Sequence, residues 1–352
     1  MDLNLLDEKL AQRGEPRFRA AQVWEWTSRG ACSYDEMTNL PAPLRDNLAD
    51  ELPFSTLELV DEALARDGTE KAVFRTADGR PLETVLMRYK DDRRSICLSS
   101  QSGCPLTCTF CATGRMKFGR NLTASEILDQ ALHFRRKEPV SNAIFMGMGE
   151  PMMNIDNVLA ACGRLPDIGI IPRRTAISTV GWIPGIERMT TDGPPVRLAL
   201  SLHAADEALR SELMPVNERY PLPEVLDACR AWSEARRQEV FVEYLMLDGV
   251  NDRYEQAVQL AQVLQPRDSF KVNLIPYNPT DAAYSGSTRG ATDAFRAALE
   301  EHGVRATVRL TRGRDIDAAC GPLAAKAAAW RHGRQPGATA HEATDSSRHA
   351  DR

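Results

Sequence analysis

The sequence predicts an α/β fold: a partial, open (β/α)6 barrel preceded by a small N-terminal helical unit and a β-hairpin extension. Three observations carry that expectation. Strand-like and helix-like patterns alternate over roughly 200 residues, which calls for a parallel sheet with helical crossovers. Six or so such repeats are too few to close an eight-stranded barrel, so the barrel is expected open, with a lateral mouth for a large substrate. A loop with three closely spaced cysteines follows the first barrel strand, at the end where such folds carry their active sites.

Taken in order, residues 1–55 read as a helical accessory unit. RFRAAQVWEWTSRG, from Arg17 to Gly30, sets Phe18, Val23, Trp24 and Trp26 among basic and polar positions, and a second helix is expected from Pro41 to Leu52. The unit is either an ordinary cap on the core or an RNA-contacting domain, since Arg17, Arg19 and Arg29 accompany the aromatics; composition favours the cap. Residues 56–93 change period. KAVFRTADGRPLETVLMRY alternates about a turn at Asp78-Gly79-Arg80-Pro81, a hairpin signature. The barrel core is placed at 94–311, with strands at Ser95–Ser99, Ala143–Met146, Thr175–Thr179, Arg197–Leu202, Val240–Leu245, Lys271–Ile275 and Ala306–Leu310. Thr123-x-x-Glu126 is a capping box that opens the helix after the cysteine loop. Residues 312–331 form a C-terminal segment carrying Cys320. Residues 332–352 are polar, lack apolar periodicity and are expected to be disordered.

At 352 residues and 43% hydrophobic, the chain can bury one large core. It has no run of eighteen apolar residues, so no membrane span is predicted. The opening MDLNLLDEKLAQRGEP does not read as a signal peptide, and the cysteine array suits a reducing, cytoplasmic setting. A net charge of −5 argues against a general nucleic-acid coat protein but leaves room for a local basic surface. Arg115, Lys117, Arg120, Arg135, Arg136, Lys137, Arg173 and Arg174 could supply one; individually each is better read as part of a solvated charged face.

The chemistry concentrates in SICLSSQSGCPLTCTFCATGRMKFGRN, Ser95 to Asn121, where Cys104, Cys108 and Cys111 are spaced C-x3-C-x2-C. Three thiolates on one loop can hold three corners of a [4Fe-4S] cluster. Four is the usual number, so one iron is left open to an outside ligand, which suits catalysis better than electron transfer. A zinc knot would usually show a second C-x2-C pair or histidines, and neither follows. Polar residues then recur at predicted strand ends: Gly149 and Glu150 in Gly147-Met148-Gly149-Glu150-Pro151, Ser178, Ser201-Leu202-His203, and Asn278. Four such groups at the C-terminal ends of strands point to one pocket. Cys32, Cys162 and Cys229 read as small buried apolar residues. Cys97 lies on the first barrel strand, and Cys320 sits in RLTRGRDIDAACGPLA before a flexible Gly321-Pro322, where an accessible thiol could act as a nucleophile.

The cysteine spacing, with Phe110 between the last two cysteines, resembles the radical S-adenosylmethionine (SAM) superfamily. Together, SSQSGCPLTCTFCATG, FMGMGEPMMN, ISTVG, SLHAADEALRSELMPVN, NLIPYNP and RGRDIDAACG closely resemble the RlmN/Cfr family of radical-SAM RNA (adenine-C) methyltransferases. QVWEWTSRG and MTNLPAPLR look like its accessory domain, and the resemblance runs from about Phe18 to Leu323 with no departure at a motif position. It implies one [4Fe-4S] cluster on Cys104, Cys108 and Cys111, and SAM bound at the open iron by Gly149, Glu150, Ser178, Ser201, Leu202, His203 and Asn278. Two SAM molecules are used per turnover. It further implies Cys320 as an S-methylcysteine carrier, Glu83 as the proton acceptor, and Cys97 as the thiol that resolves a protein–RNA adduct through a transient disulfide with Cys320. The implied substrates are carbon 2 of an adenosine in the peptidyl-transferase region of 23S rRNA and of the adenosine 3′ of the anticodon in tRNAs. An external electron donor such as flavodoxin is implied, with a monomeric enzyme. Carbon-8 methylation, as in the antibiotic-resistance branch, is the alternative within the family. A glycyl-radical activase would have no use for Cys97 and Cys320, and an iron–sulfur RNA-binding module would not turn SAM over.

Overall fold

The computed structural model describes residues 1–280 and 282–318. Three helices come first: α1 (Leu3–Gln12), α2 (Phe18–Arg29) and α3 (Ala42–Glu51). Asp2 starts α1 by accepting from the Asn4 and Leu5 amides, and Gly30 ends α2 in the left-handed conformation. Leu6, Leu10, Val23, Met37, Leu44 and Leu48 share a small core of their own. Trp24 turns instead to the main core, and its indole donates to Asp167 Oδ2 at 2.7 Å. α1 is additional to the two helices the sequence pattern marks; LNLLDEKLAQ buries only Leu6 and Leu10, too narrow a stripe to stand out.

Ten strands then form one continuous sheet. β1 (Leu57–Leu64), β2 (Glu70–Thr76) and β3 (Pro81–Arg88) make an antiparallel meander that joins β4 (Arg94–Cys97). The expected hairpin is β2–β3. β1 escapes the pattern because LELVDEAL is an edge strand, mostly exposed and acidic. β5 (Gln101–Ser102) and β6 (Arg120–Asn121) pair as a separate short ribbon. Strands and helices then alternate: α4 (Ala124–Arg135), β7 (Asn142–Phe145), α5 (Ile155–Arg164), β8 (Thr175–Thr179), α6 (Ile183–Asp192), β9 (Arg197–Ser201), α7 (Glu207–Leu213), α8 (Leu222–Arg236), β10 (Val240–Met246), α9 (Tyr254–Val263), β11 (Phe270–Pro276), α10 (Arg289–Glu301) and β12 (Ala306–Val308). The sheet order is β1-β2-β3-β4-β7-β8-β9-β10-β11-β12, with every pair from β4 onward parallel. This is the partial open (β/α)6 barrel expected from the sequence: six strand–helix units and a last strand. The capping box at Thr123 and Glu126 forms and opens α4.

β1 and β12 lie at opposite edges of the sheet, yet the chain after β12 returns to the β1 side. In this strap, Gly313 N donates to Asp67 Oδ2 at 3.1 Å, Arg66 N donates to Asp315 Oδ2 at 3.0 Å, and Lys71 Nζ donates to Asp317 O at 3.5 Å. Gly313 (φ +66°) and Asp317 (φ +52°) take left-handed backbone to make the turn. Cys162 and Cys229 are buried, as expected, but Cys32 is exposed: it sits just past the end of α2, where the chain turns over the surface. Cys320 and the tail lie outside the described residues.

Candidate active site

β5 and β6 pair Gln101 with Asn121 and Ser102 with Arg120, so the cysteine loop leaves and returns at one point. Cys104 and Cys111 are half-buried and Cys108 is buried. The loop is pinned over the barrel mouth: Thr109 N donates to Leu213 O at 3.0 Å, and Phe110 meets the His203 ring edge-on at 4.9 Å. Burial pushes the Cys104 thiol up to about 12 and raises Cys108 well above the usual thiol range, and the neighbouring thiols and Glu150 add to it. Three thiolates in such a place need a cationic centre to exist together. Among the described residues, the only three-ligand group with all donor atoms within 4.8 Å is Glu62, Glu70 and His133, and Lys137 already bridges its two carboxylates. The cysteine sulfurs are thus spread wider than a tetrahedral zinc would hold them, at Zn–S of about 2.3 Å. A cubane cluster, in which each cysteine thiolate would bind a different iron, suits that spread and that donor set.

The loops after β7, β8 and β9 face the cysteines across an open cleft. Its lining brings together Cys104, Cys108, Cys111, Gly149, Glu150, Ser178, Ser201 and His203. Gly149 has φ +96°, and a Cβ there would stand 2.5 Å from Gln101 Cβ. Gln101 Oε1 accepts from Glu150 N at 2.8 Å, and its Nε2 donates to Asn121 Oδ1 at 2.8 Å. One side chain therefore ties this turn to the root of the cysteine loop. The Glu150 carboxylate accepts from Met152 N and Val180 N, each at 3.0 Å. Burial nevertheless raises its pKa to about 7, so an arriving ammonium would favour the ionised form. Ser178 Oγ and Ser201 Oγ are 3.2 Å apart. His203 is buried with φ +60°. Its Nδ1 accepts from Leu245 N at 3.1 Å, which leaves the proton on Nε2. Burial, helped by the Arg210 charge, lowers its pKa to about 3, so the ring is neutral. Such groups can hold the amino, carboxylate and ribose parts of a SAM molecule.

Two of the expected cofactor residues do not line this cleft. Leu202 has its side chain in the main core and its amide on Glu243 O at 3.1 Å; it spaces Ser201 from His203 without lining the cleft. Asn278 lines a second cavity, with Cys97, Val85, Met87, Arg309 and Ala318, and accepts from Arg314 Nε at 3.2 Å. Ile275 and Arg309 border both cavities and form the wall between them. Glu83 is buried on β3, with Oε1 3.8 Å from Lys71 Nζ. It shares a strand face with Val85 and Met87 by the two-residue period. The described chain thus ends, at Ala318, in the cavity that holds Cys97.

The sequence pattern did not mark Arg210, Glu243 or Arg309. Arg210 is fully buried, faces Cys108 and donates to Val180 O at 2.6 Å; ALRSELM reads only as an amphipathic helix. Glu243 had a signal, a lone acid within apolar VFVEYLM. The basic residues divide. Arg120 is bound by Asp78 and Glu126, and Lys137 by Glu62 and Glu70. Arg115, Lys117 and Phe118 are exposed beside the cysteine loop, and Arg173 and Arg174 are exposed before β8.

Residues 98–261 match the family model of the Radical SAM superfamily, and residues 1–52 match that of the ribosomal RNA large subunit methyltransferase N-terminal domain. A Heliobacterium modesticaldum protein named a probable dual-specificity RNA methyltransferase RlmN is 46% identical over 326 residues, covering 88% of this chain and 84% of the relative. The dual-specificity RNA methyltransferase RlmN of Geobacter sulfurreducens is 40% identical over 331 residues, covering 93% and 91%. The crystal structure of a radical SAM methyltransferase from Sphaerobacter thermophilus superposes with a TM-score of 0.86 at 42% identity, covering 92% of this chain and 97% of that one.

Proposed function

Because the chain belongs to the RlmN family of radical SAM RNA methyltransferases, we propose that it methylates carbon 2 of one adenosine in 23S rRNA and of the adenosine 3′ of the anticodon in tRNAs. The observation that carries this reading is the pair of cavities sharing one wall, with Cys104, Cys108 and Cys111 on one side and Cys97 on the other. The dual-specificity name of the relatives supports more than one RNA substrate.

Carbon 2 of adenine is electron-poor and has no lone pair with which to attack a methyl donor. When bound, a [4Fe-4S] cluster and SAM supply a methyl group and a hydrogen-abstracting radical. Cys104, Cys108 and Cys111 hold the cluster, while Gly149, Glu150, Ser178, Ser201 and His203 orient SAM. Cys320 carries the methyl as a thioether, two residues beyond Ala318. Once the thioether methyl has lost a hydrogen, its carbon adds to the ring. Glu83 removes the ring proton as the adduct gives up its odd electron, with Lys71 beside its carboxylate. Cys97 attacks the Cys320 sulfur, the carbon–sulfur bond breaks as the disulfide forms, and the released carbon takes up a proton to become the methyl group of the freed RNA. An external donor such as flavodoxin returns the electrons. The target base must be unstacked to reach this depth, so it comes from a loop. Arg115, Lys117 and Phe118 stand at the mouth, where a phosphate backbone and a base face can rest on them.

Two variants test the scheme. Cys320→Ala should bind cluster and SAM but carry no methyl and yield no 2-methyladenosine in nucleoside mass spectrometry. Cys97→Ala should accept the methyl, add to the base and stall as a covalent protein–RNA species on a denaturing gel. Carbon-2 methylation by Cys320→Ala, or absence of cross-linked RNA from Cys97→Ala, would overturn the carrier mechanism or the resolving role respectively.

A further inference from the structure

The wall between the two cavities holds an acid that the scheme above does not use. Glu243 stands on β10 in register with Ser201 of β9 and Asn273 of β11. It lines the cleft and is 3% exposed. Its Oε1 accepts from Asn273 Nδ2 at 3.0 Å, and Thr307 Oγ1 in turn donates to Asn273 Oδ1 at 2.7 Å. This transverse row across β10, β11 and β12 fixes the plane of the carboxylate. Oε2 receives no hydrogen bond; Arg309 Nη1 approaches it only as an ion pair at 3.7 Å. A buried carboxylate oxygen without a donor is costly, and native structures tolerate one chiefly where something else completes the bond. SAM has Glu150, Ser178, Ser201 and His203 for its own polar groups. Glu243 lines the same cleft and is ion-paired with Arg309, which faces the Cys97 cavity as well.

We propose that Glu243, with Arg309 beside it, reads the target base: Oε2 accepts from the exocyclic amine of adenine while the guanidinium faces the adjacent ring nitrogen. An acceptor beside a donor complements adenine's edge, which offers a donor beside an acceptor. Uracil offers carbonyl oxygens where Glu243 needs a donor. The inference deepens the reading above and rests on it for the class of ligand.

The test is base discrimination measured by affinity. Full-length protein, reconstituted with its cluster and saturated with SAM, is titrated by fluorescence anisotropy with a pyrimidine-loop RNA hairpin. The loop carries either one adenosine or one purine riboside, which lacks only the exocyclic amine. Wild type should prefer adenosine by about tenfold or more, the worth of a buried hydrogen bond to a charged group. Glu243→Leu should bring the ratio to within about twofold by weakening the adenosine hairpin alone. Glu243→Gln, with a neutral and weaker acceptor, should lower it by about threefold, and it decides the matter if the Leu variant fails to hold its cluster. A wild-type ratio near one, or an unchanged ratio in these variants, overturns the proposal. So does loss of SAM binding in both with the cluster retained, because Glu243 would then belong to the cofactor site. Failure of wild type to form 2-methyladenosine would sink the proposed reaction, while the affinity ratio still judges Glu243.

Discussion

Replacing Gly149 by alanine tests whether the turn after β7 seats SAM. The backbone there has φ +96°, which costs a side-chain-bearing residue about 1–3 kcal/mol. The new methyl would also stand 2.5 Å from Gln101 Cβ, 2.7 Å from its Cγ and 2.8 Å from its Oε1. Gln101 cannot swing away freely, because it holds Glu150 N and Asn121 Oδ1, each at 2.8 Å. Losing those two bonds adds about 1–3 kcal/mol. The cheapest escape is a shift of the turn, which carries Glu150 away from Cys104. If about 3 kcal/mol of this appears in binding, SAM affinity falls roughly a hundredfold. Equilibrium dialysis of SAM against the reconstituted variant measures it, with iron content as the check that the cluster remains. Gly79→Ala is the control: φ is +78° in the β2–β3 turn, but nothing lies within 4 Å of the new methyl. That variant should lose about 1 kcal/mol of stability and no SAM affinity. SAM binding by Gly149→Ala within about threefold of wild type would refute the reasoning.

Cys104→Ala should lose the brown chromophore and all formation of 5′-deoxyadenosine on reduction; normal iron content in that variant would remove Cys104 from the ligand set. His203→Gln should soften the acid sensitivity of the fold. The folded state holds this histidine neutral down to about pH 3, whereas the unfolded chain protonates it near 6.5. The stability contributed by the neutral ring is therefore full above 6.5 and is lost as pH falls. Between pH 7.5 and 5.5 the loss is about 1.4 kcal/mol, and urea unfolding of wild type and variant at the two pH values should differ by that amount; equal slopes would show that the ring is not held neutral. Lys71→Met removes the ammonium that stands 3.8 Å from Glu83 and reaches Asp317 O. Trypsin should then cut at Arg312 or Arg314 about threefold faster, and unchanged cleavage would mean that Lys71 does not hold the strap down.

The barrel was legible because each of its strands is bounded by turn residues and followed by a helical stripe. Thr175–Thr179 forms as expected to the residue, and the other six barrel strands shift by two residues at most. β1 and α1 were not legible because both are largely solvent-facing, so their apolar period is faint. At the site, the cysteine loop and the strand-end residues announce themselves by spacing and position. Two features could not be read that way. Asn278 follows β11 by only two residues, yet the strand's course sends it over the wall into the Cys97 cavity. Leu202 sits inside a polar triplet, but alternation along the backbone turns it to the core between Ser201 and His203. Arg210 was hidden for a different reason: an arginine on an amphipathic helix is exposed in most proteins, and only the packed structure shows it covered by Val180 and Asn217.

On the proposed chemistry, the two cavities separate two demands that conflict. A site that generates a radical must keep reducing thiols away from it, while an adduct bound through a thioether needs a second thiol to leave. One strand serves both. β4 ends at Cys97, whose side chain enters the second cavity, and seven residues later the chain has folded back over the mouth to present Cys104 to the first. Ile275 and Arg309 stand between. The strap reaches the second cavity only because the barrel is open: β12 is a free edge, so the chain beyond it can cross to Asp67 and Lys71 and deliver Ala318 beside Cys97. Two further strand–helix units would occupy that seam and close the barrel. They would leave the carrier segment with no route from β12 to the meander, and the target base with no lateral entry. The missing quarter of the barrel is therefore what lets the strap bring Ala318 to the cavity that Cys97 lines.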